Sequence, residues 1–166
     1  MHRVATLSIM AVVTVSLMLA VPVNAIPSDT AIRAGCLSAK SALSQTEKND
    51  AALRINRGRI YNEVSDLLYA MNARISNNRR SAPELSQITE EFNDNLSNFK
   101  ETYSKYDDSL VALIKLECTK SPSGFYDSLV EVRHEREDLK SIVEKLDQQI
   151  DDYKSHFGTL KEKLYD

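Results

Sequence analysis

The sequence predicts an all-α protein, an antiparallel three-helix coiled-coil bundle, and three observations carry that prediction. After residue 28, turn-forming residues gather at only two places, Asn77 to Pro83 and Thr119 to Gly124. Between these places apolar residues recur at steps of three and four, while no stretch alternates apolar and polar with the period of a strand. Proline is otherwise confined to Pro22 and Pro27, ahead of the first helix.

The first helix is expected over about residues 29–77. Its stripe is the weakest of the three: Ile32, Cys36, Ala39 and Leu43 lie at one end, and Leu53, Ile60, Val64, Leu67, Met71 and Ile75 towards the other. Thr46, Asp50 and Arg57 fall on the same seam, and Gly58 costs about 1 kcal/mol relative to alanine in a helix interior. A bend is therefore expected between residues 46 and 58 of one long helix.

The second helix is expected over about residues 82–118. Ser81-Ala82-Pro83-Glu84 fits a capping box, in which the serine hydroxyl accepts from an orphan N–H and the glutamate reaches back. Its stripe runs Leu85, Ile88, Phe92, Leu96, Phe99, Tyr103, Tyr106, Leu110 and Leu113, with an extra four-residue step after Phe92 that unwinds a supercoil locally.

The third helix, about residues 123–165, has the clearest pattern: Phe125, Leu129, Val132, Arg136, Leu139, Val143, Leu146, Ile150, Tyr153, Phe157, Leu160 and Leu164. Over five heptads with charges between, that spacing marks a coiled-coil seam.

None of these helices is expected to stand alone. Burying eleven large side chains gains roughly 15 to 30 kcal/mol, and ordering about forty residues costs at least as much. Short connections make neighbours antiparallel, so the three seams converge on one interior. Charge agrees with this packing: residues 29–80 carry nine basic and five acidic side chains, residues 81–120 four and eight, and residues 121–166 seven and eleven.

The N-terminus has signal-peptide order: Arg3, an apolar run from Val4 to Val21, Pro22, and the small-residue ending Val23-Asn24-Ala25. Residues 1–25 are read as a signal peptide, with an uncleaved membrane anchor through residues 4–21 as the alternative, and residues 26–166 as one helical domain outside the cytoplasm. A net negative charge argues against affinity for nucleic acid. In an oxidising compartment Cys36 and Cys118 are expected to pair, and a loop of that length adds about 4.5 kcal/mol in the chain-entropy model. Counting equal distances from the first turn puts Cys118 opposite residue 43, so both cysteines lie at the same end of the bundle.

The same count places Arg136 near Arg57 and Tyr106, a polar core layer whose expected role is to fix register. The alternative is a pocket for a small anion. Arg79 and Arg80, in the first turn, form a basic tip that could serve as a contact surface. His134 and His156 lie too far apart on one helix to share a metal, Glu-x-x-His is absent, and no nucleophile has an oriented base. No cofactor, metal or catalytic residue is therefore expected. The reading that follows is a non-enzymatic exported spacer or protein-interaction module with an unidentified protein partner; a periplasmic holdase-like chaperone or adaptor is the runner-up, and a small-anion sensor is third.

Overall fold

In the computed structural model, which describes residues 27–165, three helices pack against one another as a helical bundle. The leader reading for residues 1–25 lies outside the described residues. The helices are α1 (Asp29–Asn77), α2 (Pro83–Lys115) and α3 (Pro122–Tyr165), with no strand among the described residues.

α1 starts where Ser28 caps it, its hydroxyl accepting from the Ala31 N–H at 3.3 Å, with Asp29 in the first turn to meet the positive end of the helix dipole. The helix runs unbroken through Gly58. It ends in a Schellman motif: the Arg80 N–H donates to the Ile75 carbonyl at 3.1 Å and the Arg79 N–H to that of Ser76 at 2.8 Å. Arg79 occupies the left-handed position at φ 56°, where glycine is usual.

The capping box expected at Ser81 is not formed. α2 begins at Pro83 behind Ala82, which makes no side-chain cap. Proline's fixed φ suits the first helical position, so the start moves one residue along and Glu84 stands too early to reach back. The other end of α2 falls at Lys115, three residues short of the expected end. Leu116 turns extended, with ψ 138°, and residues 116–118 carry Cys118 across to α1. Cys36 and Cys118 stand at disulfide distance, 5.8 Å between their Cα atoms. Beside them the Arg33 guanidinium donates to the Thr119 carbonyl, which ties the start of α1 to the second turn.

Cross-helix pairs fix the order of packing. Along α1 and α2 they run in opposite directions, Asp50 with Tyr106, Ser65 with Asn93 and Asn72 with Thr89; along α1 and α3 they run the same way, Asp50 with Arg136 and Asn72 with Tyr153. Five more residues of α1 than of α2 separate the Asn72 and Asp50 layers, so α1 takes the longer path past its neighbour. That path explains why the equal-distance count put residue 43, and not Cys36, opposite Cys118.

The interior has two parts. Near the first turn, Tyr61, Leu68, Leu85, Phe92, Leu96, Phe99, Ile142, Leu146 and Tyr153 pack together, with Tyr61 edge-on to both Phe92 and Phe99. Towards the cysteines, Tyr103, Tyr106, Leu110, Leu113, Phe125 and Val132 form the second part. Two seam assignments change. In α1 the inward residues are Tyr61, Ser65 and Leu68, whereas Leu53, Ile60 and Leu67 are 54%, 46% and 56% exposed. In α3 Glu135 is buried, and Arg136, the expected seam residue, lies at the edge with its side chain half exposed.

Candidate functional site

α2 is the most buried of the three helices, and α1 lies chiefly against it, touching α3 sparsely. Where α1 and α3 do meet, polar links join them beside the shared apolar core. The first is centred on Asp50: Arg136 donates from Nε to Oδ2 at 2.8 Å and from Nη2 to Oδ1 at 3.0 Å, and the Tyr106 hydroxyl donates to Oδ2 at 2.7 Å. One carboxylate thus joins all three helices through a two-pronged guanidinium contact and a phenol.

Burial pushes the Asp50 carboxyl up, but the hydrogen bonds from Arg136 and Tyr106, with the Arg136 charge, outweigh it and hold it below the usual carboxylate range. Tyr106 is raised, by burial first and then by its bond to Asp50. The bond to Asp50 likewise raises Arg136, against the opposing effect of burial.

Arg57, expected in this layer, lies two turns away in a second one. Its Nη1 donates to the Tyr61 hydroxyl at 3.0 Å and reaches Asp147 at 3.4 Å, while Tyr61 donates to Asp147 Oδ1 at 2.8 Å. The bond to Tyr61 is the main reason Arg57 is raised, and burial the main reason Tyr61 is. The longer path of α1 again accounts for the displacement.

A third layer closes the series near the first turn. Asn72 Nδ2 donates to Thr89 Oγ1 at 2.8 Å, and the Tyr153 hydroxyl donates to Asn72 Oδ1, also at 2.8 Å. Asp50, Tyr61 and Asn72 are spaced by eleven residues, three helical turns, as are Arg136 and Asp147 on α3. Asp50 was placed on the seam without its partners, and Asp147 and Asn72 went unrecognised because the stripes were read at heptad spacing; an eleven-residue ruler aligns Asp50 with Asn72 and Arg136 with Asp147.

Between the first two layers the α1–α3 face opens into a groove of about 700 Å³. Phe99 and Tyr103, core residues of α2, help to line it, with Leu53 and Arg54 on the α1 side and Arg133 and Val143 on the α3 side. The Arg54 guanidinium lies 4.8 Å from the centre of the Tyr103 ring. The Tyr103 hydroxyl is buried without a hydrogen-bond partner among the described residues, and burial, then the nearby Asp107 charge, raises its pKa. Nothing in this arrangement pairs a nucleophile with a base, and among the described residues no three His, Cys, Asp or Glu side chains gather as a metal-binding set.

Arg79 and Arg80 sit in the exposed first turn, where the backbone of both is engaged in closing α1. No protein-family model matches the chain, and no curated protein or solved structure matches it either.

Proposed function

We propose that this chain acts outside the cytoplasm as a non-enzymatic protein-interaction module or structural spacer, at the cell envelope or beyond it. Its body is read as an antiparallel three-helix coiled coil. The observation that supports the reading best is the open α1–α3 groove, edged by the exposed Leu53 and by arginines above a buried aromatic floor of Phe99 and Tyr103. The Cys36–Cys118 pair at disulfide distance hints at an oxidising compartment, in keeping with the signal-peptide reading of residues 1–25. Among the described residues no helix is long and apolar enough to cross a membrane.

The test is capture of partners from intact cells by the secreted chain, with covalent cross-linking before lysis. A specific partner, retained after high-salt washing and lost on unfolding the chain, is the expected result. Turnover of substrates by the purified chain, abolished by a single substitution, would overturn the reading. A second reading, a holdase-like chaperone, has one observation in its favour: among the described residues, six of the seven large apolar side chains that stand exposed lie on α1. It requires suppression of aggregation of an unrelated denaturing protein, an assay in which a spacer is inert.

A further inference from the structure

We infer that the α1–α3 groove is a docking site for one amphipathic helix of a partner protein, apolar along one row and acidic beside it. The inference rests on the interaction-module reading and names the partner's chemistry.

Shape is the first argument. Leu53, Ile60 and Leu67 follow one another at heptad spacing along the outer edge of α1, about 21 Å from first to last at 1.5 Å per residue. All three are about half exposed, Leu53 within the groove lining and Ile60 and Leu67 farther along the same edge. An apolar row of this period is what one helix offers another in a coiled coil, and four turns of helix would cover it. Phe99 on the groove floor is itself buried and Val143 half-buried, so the apolar surface such a helix would cover is the α1 row, with Leu53 at the groove's edge.

Charge is the second argument. Of the five basic residues lining the groove, Arg57 is taken up by Asp147, Arg136 by Asp50 and Lys140 by Glu144, but Arg54 and Arg133 have no acidic partner among the described residues. One stands on each side of the opening. Only Glu137 among the lining carboxylates is likewise without an ion pair, so the groove presents excess positive charge beside its apolar row. Carboxylates flanking an apolar row complement it on both sides.

A second copy of this chain fits less well. Its only exposed apolar rows are on α1, within a segment of nine basic and five acidic residues, so two such faces would bring arginines together. Among the described residues its acidic outer faces on α2 and α3 carry no exposed large apolar residues to fill the groove.

The experiment uses the full secreted chain and a labelled helical peptide of about 20 residues, with leucines at heptad a and d positions flanked by glutamates. Fluorescence anisotropy should report saturable binding, weakened about tenfold by Arg133→Glu and by Ile60→Gln. The Arg133→Glu chain should in turn prefer the same peptide with lysines in place of glutamates, a reversal that loss of folding cannot produce. Leu37→Gln, at an exposed site outside the groove, should change nothing. Equal binding of the two peptides, or no binding, would overturn the inference. So would uptake of the chain by phosphatidylglycerol vesicles that Ile60→Gln abolishes, which assigns the face to a lipid surface, or a dimer in sedimentation that Ile60→Gln dissociates. If a cellular partner is captured equally by wild type, Ile60→Gln and Arg133→Glu chains, the interaction reading stands and the groove assignment falls.

Discussion

Asp50 is the side chain on which most depends, because one buried carboxylate satisfies a guanidinium and a phenol from two other helices. Removing Arg136 strands that carboxylate in the interior, whereas removing Asp50 leaves Arg136 free to turn to solvent. Arg136→Leu should therefore cost about 3 kcal/mol and Asp50→Asn about 1–2 kcal/mol in urea unfolding. A cycle with Asp50→Leu/Arg136→Leu should recover much of the loss, since an apolar pair leaves no orphan. The pH dependence has a definite sign. The folded carboxyl titrates below the unfolded one, so its contribution is complete above about pH 3.9 and is lost as the pH falls through the lower folded value. Asp50→Asn should accordingly flatten the acid side of the stability profile relative to wild type. Glu135 is the opposite case: both its oxygens are buried without a hydrogen bond, and Lys105, 3.2 Å from Oε1, is itself exposed. Glu135→Leu should raise stability by about 1–2 kcal/mol, measured by the same unfolding curves.

Among the elements, α1 carries the local conflicts. A Cβ at Gly58 meets nothing within 4 Å, so Gly58→Ala should stabilise the helix by up to about 1 kcal/mol and raise the melting temperature. Arg79 bears the strain of a left-handed conformation, and Arg79→Gly should be neutral or stabilising while Arg79→Val should destabilise, by about 1 kcal/mol or more. The helix boundaries were legible in the sequence to within three residues because turn-forming residues interrupt the pattern at Asn77 to Pro83 and Thr119 to Gly124. The stripe of α2 was legible too, since every residue of it is buried except the half-buried Ile88, beside which the buried Thr89 was missed because it is polar. In the α1 stripe Ile32, Cys36, Ala39, Leu43, Val64, Met71 and Ile75 pack on the core as expected, while Leu53, Ile60 and Leu67 were misread for a physical reason. Leu53, Ile60 and Leu67 look like a core row at heptad spacing, whereas the residues that face inward follow an eleven-residue repeat through Asp50, Tyr61 and Asn72. Polarity at those positions hid them from a search for hydrophobic periodicity.

For the molecule as a whole, the Cys36–Cys118 pair closes a loop that spans the second part of the core, and reducing it should lower stability by up to about 4.5 kcal/mol, read as a drop in melting temperature on adding reductant. That the two cysteines share one end of the bundle could be read from helix lengths alone. The groove could not, because it arises from how α1 leans: closely on α2, and on α3 mainly through spaced polar layers. A sequence states which residues are apolar, but not which face a third helix leaves uncovered. That uncovered face is tested most directly by amide chemical-shift mapping by NMR of the full chain titrated with the glutamate-flanked peptide. The expected result is perturbation concentrated on α1 from Leu53 to Leu67 and on α3 from Arg133 to Glu144; shifts centred instead on the Arg79–Arg80 turn or on the outer face of α2 would contradict it.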